Sequence, residues 1–147
     1  MKFKVNRNQV IKALQVEKLT PGAFFDAKND SAAAKADIAN CKVCAVGSVI
    51  RTCMSKKELA KFDTDTLCMI GEEVTQNDYI INEDDYEQGL QYRVHKALGE
   101  ENYLGALSIK FEAMMKDRKL ITPFVRNELI RFVKGNFPTS FTVHYDN

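Results

Sequence analysis

The stretch Asn40-Cys41-Lys42-Val43-Cys44-Ala45-Val46-Gly47-Ser48-Val49-Ile50-Arg51 decides the fold, because it sets two thiols, several small residues and an apolar run in one place. Read as a helix from Cys41 to Met54, it puts Cys41 and Cys44 on one face at i and i+3, continued by Gly47 and Ser48. Small residues on a face let a neighbouring helix approach closely. Val43, Val46, Val49 and Ile50 supply apolar surface on the other sides, and a helix apolar all round belongs in an interior. Unpaired cysteine is also among the most buried residue types. The segment is therefore expected to be the buried central helix, about 41–54, of a mainly α domain.

Outward from it, helical periodicity dominates. Asn102 is a plausible cap for a helix whose apolar stripe is Leu104, Leu107, Phe111, Met114 and Met115. Thr122 with Pro123 opens another, striped by Val125, Leu129, Phe132 and Val133, and ending near Gly135-Asn136. Tyr86, Leu90, Val94, Ala97 and Leu98 predict a helix from Asp84 or Asp85 to Gly99, with acids at its positive end and Gly99 suited to its C-cap. Ser55-Lys56-Lys57-Glu58 has capping-box spacing and predicts a short helix to Phe62, and Asn8 to Leu19 reads as helix. The Leu67–Ile70 and Tyr79–Ile81 runs are too short to classify. Thr20 to Asp30 reads as a mobile loop through its Pro, Gly and Asn residues, and Ala32 to Ala36 favours helix.

The two ends alternate instead. Met1, Phe3 and Val5 are interleaved with Lys2 and Lys4, and Phe141, Val143 and Tyr145 with Thr142 and His144. Period two predicts strands that pair as a small terminal sheet, which must rest on the helices because a lone ribbon is marginal in water.

At 147 residues and 45% hydrophobic content the chain suits one globular domain, 1–147, with a core that needs no staples. No signal-peptide core follows Met1 and no apolar run is long enough to span a bilayer, so the expected location is cytoplasmic, with no membrane partner. There Cys41, Cys44, Cys53 and Cys68 are expected as thiols or metal ligands and not as disulfides. The net charge of +1 hides segregation. Residues 1–62 carry twelve Lys/Arg against five Asp/Glu, residues 63–102 eleven acids against Arg93 and Lys96, and the remainder is +3. Such a chain can be two-faced, attracting a basic protein partner or a second copy head to tail.

Four short blocks resemble an uncharacterised family of small phage and bacterial proteins: Gly22-Ala23-Phe24-Phe25, Cys41-x2-Cys44-Ala45-Val46-Gly47, Ala106-Leu107-Ser108-x2-Phe111-Glu112, and Phe132-Val133-x2-Asn136-Phe137-Pro138. The resemblance implies a small, mainly helical protein, virus-encoded or bacterial, that works in the cytoplasm of its host. It implies no catalytic residues.

Chemical readings compete with the structural one. Cys41 and Cys44, with Cys53 and Cys68 or His95, have the residue types of a zinc site, but zinc pairs favour polar knuckles and these neighbours are apolar. A redox dithiol needs a preceding strand, which the Ala-rich segment does not offer. A cysteine hydrolase or transferase would use Cys44 with His95 as base; His144 lies on the polar face of a terminal strand. Neither a phosphate-binding glycine loop nor a serine elbow is present. Lys56, Lys57 and Lys61, or Lys116, Arg118, Lys119, Arg126, Arg131 and Lys134, could meet phosphates, but the small net charge argues against nucleic-acid binding. The sequence thus favours a non-enzymatic accessory protein without cofactor. It would bind a protein partner through the acidic stretch, for which Glu83, Asp84, Asp85 and Glu87 are the candidate contacts.

Overall fold

Cys44 is where the central helix begins. In the computed structural model, which describes residues 1–26, 38, 41–75 and 86–146, helix α2 spans Ala45–Cys53 and Cys44 is its N-cap. The expected start at Cys41 is corrected by long-range pairing. Lys42–Val43 (β3) pairs antiparallel with Phe25–Asp26 (β2), and Val43 also bridges Leu19. Extended backbone there keeps Cys41 off the helix, so the two thiols do not share a helix face.

The chain is mainly helical, with seven helices among the described residues. Strand β1 (Lys2–Asn6) leads directly into α1 (Arg7–Leu14), where Asn6 and Gln9 form a reciprocal capping box. The helix is shorter than the expected Asn8–Leu19 because its end is taken over by tertiary bonds. Arg126 Nη1 donates to the carbonyls of Leu14 and Val16, 2.8 and 2.7 Å away, and Leu19 leaves for its bridge to Val43. After α2 come α3 (Lys56–Leu59), capped by Ser55, and α4 (Thr64–Thr75), which contains the short Leu67–Ile70 run. Helices α6 (Tyr103–Met114) and α7 (Pro123–Asn136) begin at the expected Asn102 and Thr122 caps, and α5 (Tyr86–Gly99) lies within the expected span, whose start at Asp84 or Asp85 is outside the described residues. The Ala32–Ala36 and Tyr79–Ile81 segments lie outside the described residues.

The chain closes with β4 (Ser140–His144), antiparallel to β1 with Phe3 opposite Val143 and Val5 opposite Phe141. The terminal pair expected from alternation is thus present, and it rests on helices. The Arg7 amide donates to the Thr139 carbonyl at 2.9 Å, and the Tyr145 ring meets Phe3 and Phe62 at 5.9 and 6.3 Å between centroids. Residues 45–50 of α2 are all buried. Its Ser48 hydroxyl donates to the Ala13 carbonyl at 2.7 Å, which satisfies a buried polar group and fixes α2 against α1. Among the described residues no helix is long and apolar enough to cross a membrane.

Candidate functional site

The small residues of α2 and α4 serve a closer approach than helix against helix. The Cys44 amide donates to the Phe24 carbonyl at 3.3 Å. A Cβ on Gly47 would overlap that carbonyl oxygen, and one on Gly71 of α4 would sit 2.6 Å from the Phe24 ring. Phe24 is a wedge, its backbone against α2 and its ring against α4. The Gly22 amide reaches Glu112 Oε1 of α6 at 3.5 Å. Residues of three of the four blocks quoted above thus meet around one loop.

That convergence holds structure together and leaves the thiols quiet. Cys44 Sγ accepts from the Gly47 amide at 3.4 Å, and burial pushes the thiol up to about 11. Burial likewise pushes Cys53, at the end of α2, up to about 12, and raises Cys68. A thiol so raised is protonated at neutral pH, the opposite of what a nucleophile needs. His95 is exposed on α5, and among the described residues no hydrogen bond joins it to Cys44. The Cys41 thiol donates to the Ile38 carbonyl and the Cys68 thiol to the Phe25 carbonyl, each at 3.7 Å. Among the described residues, no group of three or more His, Cys, Asp or Glu could hold a metal ion.

The basic residues are dispersed. Lys61 pairs with Glu58 at 3.4 Å and Arg131 with Glu128 at 3.3 Å, while Arg126 is engaged by α1. Of the acidic contacts suggested by the sequence, Glu83, Asp84 and Asp85 lie outside the described residues, and Glu87 occupies the first turn of α5.

The acidic stretch nevertheless builds a site. A cleft of about 200 Å³ opens where the end of α4, the α5–α6 turn and β4 meet. Its lining includes Glu73, Glu100, Glu101 and His144, and among the described lining residues there is no lysine or arginine. Apolar contributions come from Val74, Leu104 and Val143, all buried, and from Tyr103 and Phe141, whose rings stand 4.9 Å apart. Asn102 fixes the geometry. Its side chain accepts from the Gly105 amide at 2.9 Å and donates to the Thr75 carbonyl at 3.0 Å, stapling α6 to α4. Glu73 accepts from the Asp146 amide, which draws the segment after β4 against the cleft.

Glu101 is held in an unusual way. The Asn102 amide bonds the Ala97 carbonyl and the Glu101 amide bonds the Leu98 carbonyl, 2.8 and 3.1 Å, the paired pattern that ends a helix with one left-handed residue. That residue is Glu101, with φ of 59°. Glycine is favoured there, and an L side chain at positive φ carries a steric penalty of about 1–2 kcal/mol. The expected Gly99 cap is therefore corrected: Gly99 is the last helical residue, and the left-handed position two residues on carries a carboxylate. Neither Glu101 nor the cleft could be read from sequence, since each depends on where three separate elements meet. In comparisons with known proteins, no family model, curated protein or solved structure matches the chain.

Proposed function

We propose that this chain is a non-enzymatic accessory protein that binds a partner protein by receiving a Lys- or Arg-bearing segment in the acidic cleft. The observation that carries the reading is Glu101, an acid kept in the left-handed position where glycine would be more stable, beside Glu100 at the mouth of an apolar-floored cleft. Among the described residues, left-handed backbone is kept at two non-glycine positions, Glu101 and Asp117, and of these Glu101 lines the cleft, where retained strain supports a role for its side chain. Opposite charge on the partner would steer its encounter and fix its register, with the apolar floor available to one side chain. Glu83, Asp84, Asp85 and Glu87, the candidate contacts read from the sequence, belong to the same acidic stretch of sequence as Glu100 and Glu101. The resemblance to phage and bacterial proteins fits a virus-encoded factor acting on a protein of its host.

The test is fluorescence anisotropy of a labelled Lys/Arg-rich peptide carrying one Phe, titrated with wild type and with the Glu100→Gln, Glu101→Gln double variant. Wild type should bind, and the variant should bind roughly tenfold more weakly, as expected for two exposed ion pairs at ~0.2–1 kcal/mol each. Equal affinity for both proteins, or affinity insensitive to salt, removes the cleft from the account.

A further inference from the structure

The surface opposite the cleft completes a pattern. Helix α6 begins at the cleft and, twelve residues long, ends ~18 Å away at a rise of ~1.5 Å per residue. The turn beyond it carries Lys116, Arg118 and Lys119, all exposed, with Asp117 among them. Arg118 Nε donates to the Met114 carbonyl at 3.1 Å and so caps the helix. Acids before the first turn and bases after the last suit the dipole of α6, and that would account for the charges alone. It does not account for Leu120 and Phe124, which are 50% and 64% exposed and lie on either side of the Thr122 cap of α7. They are two large exposed apolar side chains in the same stretch of chain as Lys116, Arg118 and Lys119, and a docked partner would cover them.

We infer that a second copy of this chain provides the cover: the basic corner at the end of α6 in one molecule docks on the acidic cleft at the start of α6 in the next. The two surfaces complement each other in both charge and apolarity. The corner offers exposed Lys116 and Lys119 and, at the start of α7, exposed Phe124, and the cleft offers Glu100 and Glu101 with buried Val74, Leu104 and Val143. A cleft of about 200 Å³ is below the ~300–1,000 Å³ of small-molecule pockets and on the scale of one inserted side chain. The two patches lie at opposite ends of one rigid helix, so a molecule cannot satisfy its own cleft. The contact is heterologous, and its repetition gives an open chain or a closed ring and not a two-fold dimer. One side chain and a few ion pairs fall short of the ~1,200–2,000 Å² of a standard stable interface, so the assembly is reversible and concentration-dependent. This inference rests on the cleft being a receptor for a basic segment and names the source of that segment.

Sedimentation velocity tests it. Wild type should gain weight-average mass with concentration in about 0.01 M salt, where the Debye length is ~30 Å, and revert to monomer in about 1 M salt, where it is ~3 Å. Two variants then dissect the contact: Glu100→Gln with Glu101→Gln disables the cleft, and Lys119→Gln with Phe124→Ser disables the corner. Each should stay monomeric alone. Mixed in equal amounts they should form a dimer and nothing larger, because one intact cleft meets one intact corner and the other two are dead ends. Wild type that stays monomeric at every concentration overturns the inference, as does a mixture that remains monomeric. If the anisotropy peptide still binds such a monomer, the cleft remains a receptor for another protein; if the peptide fails as well, both readings fall. Monomeric wild type that instead sediments with phosphatidylserine vesicles, and loses this in Phe124→Ser, assigns the corner to an anionic membrane and overturns self-association.

Discussion

Replacing Gly47 by alanine should destabilise the protein, although alanine is the better helix former. The propensity gain is at most ~1 kcal/mol in a helix interior, and Gly47 stands in the first turn of α2. Against it, the new Cβ would overlap the Phe24 carbonyl oxygen and approach its carbon to 2.9 Å. Backbone cannot swing aside as a side chain can. Overpacking of this kind costs ~1–3 kcal/mol, and moving the loop sacrifices the Cys44 N–H bond to the same carbonyl, ~1 kcal/mol more. The net is ~1–3 kcal/mol, a Tm lower by roughly 4–8 °C for a mid-range loss of ~2 kcal/mol in a protein of this size. Gly135→Ala is the control, since a Cβ there meets nothing within 4 Å in the last turn of α7; it should be neutral or slightly stabilising. The chemistry can be separated further with Gly71→Ala, whose clash is with the Phe24 ring. A double-mutant cycle by urea denaturation should find Phe24→Ala rescuing Gly71→Ala but not Gly47→Ala. If Gly47→Ala matches Gly135→Ala in stability, or if Phe24→Ala rescues both equally, the wedge is wrong.

Glu101→Gly should raise stability by ~1 kcal/mol, because glycine relieves the left-handed strain, while weakening peptide binding at the cleft; thermal melts and the anisotropy titration read the two together, and a variant less stable than wild type contradicts the helix-end geometry. Stability should also fall in alkali: the folded thiols of Cys44 and Cys53 are raised to about 11 and about 12, so their contribution is complete below the unfolded thiol value of ~8.5 and is lost as pH climbs toward the folded ones. Unfolding free energies from urea denaturation between about pH 8 and 10 should decline by up to ~1.4 kcal/mol per pH unit for each thiol, and a Cys44→Ala, Cys53→Ala variant with the same slope would remove the thiols as the cause.

The parts of this fold legible from sequence are those decided locally. Asn102, Thr122 with Pro123, and Ser55 announce helix starts because an N-cap acts on amides two or three residues away. Alternation at the two ends reveals strands because one face must be dry. What stayed hidden depends on partners distant in the chain. Lys42-Val43 has nothing in its own composition to stop a helix; it is extended because Phe25-Asp26 lies alongside. Helix α1 stops at Leu14 because Arg126, more than a hundred residues on, takes the carbonyls of its exit. Gly47 was readable as a point of close approach, but a loop carbonyl and not a helix is what approaches it. The acidic stretch was visible as charge, whereas its concentration at Glu73, Glu100 and Glu101 required knowing that β4 returns to cover the end of α4.

The pairing of β1 with β4 sets a schedule for folding. Phe3 and Val5 belong to the core, yet their partners Val143 and Phe141 follow well over a hundred residues later. Closing a loop of roughly 140 residues costs ~4 kcal/mol of chain entropy beyond a constant, and contacts of such separation form slowly. At a synthesis rate of ~5–20 residues per second, about 7–28 s pass between the appearance of the first strand and that of its mate. Throughout that interval the Phe3 and Val5 side chains of the nascent chain lack the β4 partner that covers them, apolar surface of the kind that invites a chaperone or a neighbouring ribosome's product. Production of this protein should therefore respond to the translation speed of the whole stretch between the two strands, helices included.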